Sequence, residues 1–276
     1  MVPASAASSA LSALVEDLAS LGSIAVAYSG GVDSAVVAAL AHRALGDRAQ
    51  AVTAVAETLA ARELDHARRL AGEIGIRHVV LTHSELSNPE FVANPSYRCY
   101  VCQGMRMDLV LDYASARGIA AVCDGTNASD PGPDRPGLAA IVERGVRSPL
   151  LEHGIDKERT RLLANTLGLS VWDRPANACL SSRIPHGQIV TLGKLRRVET
   201  AEGLLLDLGF RVVRVRHDGD RARVEVGAEE LARLRSIWPR VEAEIRDLGF
   251  ATVELDAAGY RPGGADRAMA GPSASA

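Results

Sequence analysis

Six consecutive residues, Ser29-Gly30-Gly31-Val32-Asp33-Ser34, and three separated thiols, Cys99, Cys102 and Cys179, are where this 276-residue chain could do chemistry. The six follow the apolar run 24–28 (IAVAY) and lead into a helical stretch. Glycines after a strand let the backbone turn its N–H groups inward. The N-terminus of the next helix adds its dipole, and the two together suit a phosphate. Ser29 and Ser34 add hydroxyls, and Asp33 could reach a Mg²⁺ ion or a backbone donor. The chain has no G-x-x-x-x-G-K-[ST] and no G-x-G-x-x-G, so a lysine-gripped β,γ-phosphate and a dinucleotide fingerprint are both excluded. A bare Gly-Gly-x-Asp would serve equally as a tight turn and helix cap; the full hexapeptide between strand and helix points to phosphate.

A thiolate is both a nucleophile and a metal ligand, and Arg98 and Arg183 beside the two cysteine sites favour it. Three functional readings are open: a sulfur donor, a redox dithiol, or three ligands of an iron–sulfur cluster. A structural zinc would need a fourth ligand, Cys123 or a histidine. The plain alternative is inert, buried thiols, and Cys123, which ends an apolar run, is read that way. Asp124-Gly125-Thr126-Asn127 follows the same run, at the kind of strand end where open α/β sheets place ligands. On its own it is equally an Asx-type turn. Arg214 and Arg216, two apart in a strand, share one face and make a fork for a phosphate or carboxylate, which Glu225 could face from the partner strand. The competing reading is a solvated, salt-bridged hairpin. The seven histidines have no ligand-like spacing.

The elements that must position these groups alternate. Strands are expected at 24–28, 50–56, 77–82 and 119–123, and helices at 34–45, 60–74, 105–117 and 156–167, with Gly46, Gly75 and Gly118 as stops. Strands separated by helices of this length imply βαβ units and an α/β fold with a parallel sheet. A Pro/Gly-rich loop occupies 129–137. The tail changes pattern: helix 192–208, strand 211–216, turn 217–220, strand 221–226, helix 228–248 and strand 250–255 mark a small α+β domain. The expected division is 1–187, 188–258 and a Gly/Ala/Ser/Pro-rich, disordered 259–276.

Composition limits the partners. Lys and Arg number 31 against 34 Asp and Glu, and 4% of residues are aromatic, which argues against a phosphate-tracking surface and against base-stacking platforms. Residues 186–256 hold 12 basic and 13 acidic side chains, so the tail is no RNA platform. Lys157 and Lys194 are the only lysines. Four cysteines are too few for a disulfide scaffold, no signal peptide opens the chain, and no apolar run approaches a membrane span. The expectation is a cytoplasmic protein that binds neither nucleic acid nor membrane.

SGGVDS resembles the pyrophosphate loop of the ATP pyrophosphatases, a superfamily that includes NAD, GMP and asparagine synthetases and tRNA thiolases. That resemblance implies ATP cleaved between its α- and β-phosphates, with Ser29, Gly30, Gly31, Val32, Asp33 and Ser34 on the pyrophosphate and Gly125 and Thr126 in a sheet-edge loop. Together with RCYVC (98–102), the stretch RPANACLSSRIPHG (174–187) resembles the LarE family of ATP-dependent sulfur transferases, which serve synthesis of the nickel-pincer cofactor. The likeness runs from about residue 23 to 255. It implies that a carboxylate of a pyridinium dicarboxylate mononucleotide is adenylated and converted to a thiocarboxylate. In one version of the family a cysteine, here Cys179, gives up its own sulfur and becomes dehydroalanine. In another, three cysteines hold a [4Fe–4S] cluster with an extra sulfide, and Cys99, Cys102 and Cys179 match that version. The resemblance also implies Mg²⁺, a metal-contacting Glu202, substrate-facing Arg214, Arg216 and Glu225, and a homo-oligomer. The alternatives are a tRNA thiolase of the same superfamily and a non-catalytic adenine-nucleotide sensor; an amide-forming synthetase would leave the three thiols unexplained.

Overall fold

The structure is a computed structural model that describes residues 4–130 and 136–261. These form two compact units. One takes in the chain up to Phe91 and Tyr97–Asn177; the other takes in Val92–Ser96 and the chain from Ala178 onward.

The larger unit is built on the strands β1 (Ile24–Ala27), β2 (Ala49–Val55), β3 (Arg77–Thr82) and β4 (Ala121–Cys123), all parallel, in the order β3-β2-β1-β4. β1 is apolar throughout because both its faces are covered. Ile24 and Val26 pack with Leu14 and Leu18 of helix α1 (Ala4–Ser20), with α2 (Val32–Leu45) and with α3 (Ala61–Ile74). Ala25 points the other way, into a cluster with Val52 and Val122. Past the short α4 (Pro89–Val92), helix α5 (Arg98–Ser115) supplies Met107, Val110 and Tyr113 to that second cluster, and α6 (Pro136–Glu143) supplies Ile141. The short α7 (Pro149–Glu152) and then α8 (Lys157–Thr166) follow. Gly75 closes α3 with φ 80°, as its position implied.

The parallel α/β expectation holds, with differences that have physical causes. Helix α5 starts at Arg98, seven residues before the expected 105, so the C-x-x-C lies within its first five residues. Gly104, which breaks the pattern by sequence, lies against the Arg144 guanidinium: a Cβ would lie 2.8 Å from Arg144 Nη2, so that side chain would have to shift. Helix α1 was not expected from a small, polar N-terminus. Part of the 129–137 loop (131–135) and almost all of the tail expected to be disordered (262–276) lie outside the described residues.

The smaller unit contains α9 (Leu192–Asp207), β5 (Val213–Asp218), β6 (Arg221–Val226), α10 (Leu231–Arg246) and β7 (Thr252–Leu255). β5 pairs antiparallel with β6, and β6 parallel with β7. Period-two alternation sorts the sheet: Val213, Val215, Val224 and Val226 join Leu205, Phe210 and Ile245 in the core, which leaves Arg214, Arg216 and Glu225 on the other face. Asn94, the one non-glycine residue with a left-handed φ (57°) among the described residues, stitches Val92–Ser96 into this unit. Its Nδ2 donates to Pro185 O (2.7 Å) and Gln188 O (2.9 Å).

Two stability predictions follow from this packing. Leu40 of α2 is fully buried, so Leu40→Ala should cost about 2–5 kcal/mol, read as a lower urea midpoint with an unchanged m-value. His217 is buried in β5, edge-on to Phe250 at 4.9 Å, with neither ring nitrogen hydrogen-bonded. Burial, aided by Lys194 and Arg197, pushes its pKa from 6.5 to about 4. The unfolded chain therefore binds the extra proton first. The stability this group contributes is complete above its unfolded value of 6.5 and is lost as pH falls to about 4. Urea midpoints at about pH 7 and about pH 4.5 should show that loss in the wild type and a smaller one in His217→Phe.

Candidate active site

The loop after β1 is shaped by two close approaches of bare backbone. Gly30 has φ 74°, and a Cβ on it would lie 2.8 Å from Ala67 Cβ and 2.9 Å from Ala67 Cα. Gly31 caps α2 in extended conformation. The Ser29 N–H donates to Ser34 Oγ (3.2 Å), the Gly31 N–H to Ser29 Oγ (3.3 Å), and Ser34 Oγ to Gly31 O (3.2 Å). These bonds curl the loop around the first turn of α2, whose N–H groups no intrahelical carbonyl can accept. Gly125 seals the other side, because a Cβ there would fall 2.6 Å from Ser34 N. Ser29–Ser34 and Gly125 are thus brought together at the carboxyl ends of β1 and β4. The sheet order changes direction there, the kind of position at which open α/β sheets bind ligands.

Asp33 is held from both sides. Lys157 Nζ lies 2.5 Å from its Oδ2, and Asn127 Nδ2 donates to its Oδ1 at 3.1 Å. Lys157, at the start of α8, was not among the expected site residues; Asn127 ends the 124–127 stretch expected at a ligand-binding strand end. Thr126 bonds to Asp124 through both its N–H and its hydroxyl, and Ser148 Oγ donates to Asp124 at 2.7 Å. Burial pushes the Asp124 carboxyl up against these bonds. Beside the loop, His66 Nε2 lies 3.2 Å from Gly30 O, and Arg174 grips Glu63 at 2.7 and 3.0 Å.

Cys99 and Cys102 sit one turn apart on α5, with Cys99 exposed and Cys102 buried. The Cys102 thiol donates to the fully buried Glu85 at 2.9 Å; Glu85 also accepts from Arg106 Nε (2.8 Å) and Thr58 Oγ1 (2.5 Å). Sequence gave no hint of Glu85. Cys123 is buried and its thiol is pushed up to about 12 by burial, in keeping with an inert role.

Cys179 belongs to the smaller unit, half-buried, with Sγ 3.2 Å from Ser181 Oγ. It caps a single 3₁₀ turn, Leu180–Arg183. Arg183 is buried and binds both oxygens of Glu202 at 2.8 Å. Glu202 also accepts from Val215 N at 2.9 Å, so the structure places it as the partner of an arginine and of a strand. Arg216 grips Glu225 at 2.9–3.1 Å and reaches Ser182 O at 3.2 Å. Arg223 joins Glu225 at 3.0 Å. Arg214 lies over the Tyr260 ring at 5.0 Å; burial lowers its pKa, and Arg183 adds to the effect. Three buried arginines, Arg183, Arg214 and Arg216, against two buried carboxylates, Glu202 and Glu225, leave one positive charge in excess, a setting for a phosphate or carboxylate group, while Arg223 also has Asp256 at 3.6 Å. Among the described residues, no three His, Cys, Asp or Glu side chains gather into a metal site.

A parallel sheet whose first strand delivers a glycine-turned anion loop onto a helix N-terminus defines a PP-loop nucleotide domain. The sequence model of the asparagine synthase family matches residues 8–108, which carry that loop. Relatives of similar length cover most of the chain. An uncharacterized protein of Synechocystis is 42% identical over 88% of this chain and 92% of its own length. The pyridinium-3,5-bisthiocarboxylic acid mononucleotide synthase of Lactiplantibacillus plantarum is 38% identical over 91% of each chain. The tRNA-specific 2-thiouridylase of Caulobacter vibrioides is more distant, 29% identical over 71% of this chain and 61% of its own. The chain belongs to the LarE family. Among the described residues no helix is long and apolar enough to cross a membrane.

If the loop is the nucleotide site, filling the space at Gly125 should block it. Gly125→Ala should weaken ATP binding by at least about tenfold in calorimetry, with an unchanged circular dichroism spectrum, because the added methyl must displace the Ser34 backbone. An unchanged affinity would place the nucleotide elsewhere.

Proposed function

We propose that the protein is an enzyme that uses ATP to adenylate a carboxylate of a pyridinium dicarboxylate mononucleotide and replaces the adenylate with sulfur, giving a thiocarboxylate for nickel-pincer cofactor synthesis. The observation that carries this reading is Cys179: a half-buried thiol on a turn fixed by Arg183, in a unit whose Arg214 and Arg216 form a buried cationic face. The relative named for this product supports the substrate class.

A carboxylate is a poor electrophile. Attack of its oxygen on the α-phosphorus of ATP forms the acyl–AMP bond and breaks the α–β bridge, releasing pyrophosphate. Ser29–Ser34 would hold that leaving group with backbone N–H groups and hydroxyls, and Lys157 adds a cation on Asp33. Mg²⁺ accompanying the nucleotide would sit at Asp33 and neutralise phosphate charge. The Cys179 thiolate then attacks the acyl carbon and AMP leaves. Cys179 as the source of its own sulfur is the first reading. A sulfide on a [4Fe–4S] cluster bound by Cys99, Cys102 and Cys179 is the second, favoured by two thiols on one turn of α5. Action in the cytoplasm as a homo-oligomer, without nucleic acid, completes the proposal and rests on the family and on the balanced charge.

One anaerobic turnover with ATP and substrate, followed by intact-protein mass spectrometry beside an iron assay, tests it. The expected result is thiocarboxylate product and a chain lighter by one H₂S at Cys179. Product with an intact chain, and iron retained only while all three cysteines are present, would assign the sulfur to a cluster. No thiocarboxylate in either case overturns the reading.

A further inference from the structure

The backbone of Cys179 is held as closely as its side chain. Its carbonyl oxygen accepts two hydrogen bonds, from the Ser182 N–H at 3.0 Å and from Arg183 Nη1 at 2.9 Å. The same Nη1 reaches Ala178 O (2.6 Å) and Ser182 Oγ (3.0 Å). The other edge of the guanidinium is locked on Glu202, itself tied to Val215 N of β5. Arg183 is among the largest side chains buried in the protein, at 1% exposure. A buried ion pair is an expensive way to fasten a loop, since apolar packing of similar volume often does as well. What this pair adds is a cationic donor, fixed in advance on one carbonyl oxygen.

That carbonyl adjoins the Cα–H of Cys179. We propose that the Ser182 N–H and Arg183 form an oxyanion hole for the Cys179 carbonyl and so acidify its Cα–H for β-elimination. This rests on the reading above in which Cys179 supplies its own sulfur. Once Sγ carries the acyl group as a thioester, a solvent base takes the Cα proton. The electron pair of that C–H bond forms the Cα–Cβ double bond, the Cβ–Sγ bond breaks, and its pair leaves on sulfur as the thiocarboxylate. The chain keeps dehydroalanine, and no oxidant or reductant is required. Negative charge builds on the carbonyl oxygen as the proton departs. Two preorganised donors, one of them charged and shielded from water, stand where it builds. Glu202 serves as the positioning residue that aims the guanidinium.

The hole can be tested without ATP or an acyl substrate. A bis-alkylating electrophile converts a cysteine thiol to a cyclic sulfonium, which then eliminates to dehydroalanine; mass spectrometry resolves the sulfonium from its product, so elimination is read separately from alkylation. In the full wild-type chain, elimination at Cys179 should run at least about tenfold faster than at Cys99, the exposed thiol of α5, and Arg183→Lys should remove most of that advantage. Equal rates at the two cysteines in the wild type would overturn the hole, a comparison that needs no variant to fold. An unaltered rate at Cys179 in a folded Arg183→Lys protein would also overturn it. Neither outcome touches the sulfur-transfer reading, which fails separately if product forms while Cys179 stays intact.

Discussion

An anion held mainly by backbone N–H groups can be gripped only where the chain comes close to it and to itself, and side chains obstruct that approach. The larger unit is arranged around this constraint. Gly30 lies against Ala67 of α3 and Gly125 against Ser34 of α2, so the two loops at the carboxyl ends of β1 and β4 close on each other with no Cβ between them. For this to hold, α2 and α3 must pack tightly on β1, and the all-apolar β1 with its Ala-rich helix α2 allows it. The sheet, its coverings and the crossing at β1 all serve that approach.

The smaller unit answers a different demand, that charges taken out of water find partners. Its sheet is apolar on one face and ionic on the other, and each buried carboxylate is assigned: Glu202 to Arg183 and Val215, Glu225 to Arg216 and Arg223. Arginine suits the task because its planar fork meets a carboxylate at two points and has donors left for carbonyls, as Arg183 does for Ala178 and Cys179. The unit therefore combines rigidity with one buried positive charge in excess, and Cys179 sits on a turn with little freedom to wander.

Much of this was legible in the sequence, for local reasons. The apolar run of β1, the glycines after it and the period-two placement of Arg214 and Arg216 are signals within a few residues of each other. The start of α5 was not legible, because Gly104 interrupts the helical pattern, and its neighbour Arg144 lies 40 residues on. Lys157 was seen only as a rare residue; its pairing with Asp33 spans 124 positions. Glu85 would pass for an ordinary surface acid until Thr58, Cys102 and Arg106 close over it. Glu202 was expected near a metal through family likeness, and its hold on Arg183 becomes apparent only when α9 and the Cys179 turn are both in place.

The stitch made by Asn94 has a consequence for how the protein can be divided. The smaller unit is not a continuous length of chain: Val92–Ser96 arrives from within the larger one, held by Asn94 and by the pairing of Val190 N with Val92 O. A gene shortened after Asn177 would leave those five residues without the carbonyls and amides they were shaped to meet, and a gene begun at Ala178 would lack them. Neither half is a natural fragment. Any recombination that swaps one unit between relatives must exchange two segments together, so the two units are inherited as a pair even though each has a core of its own.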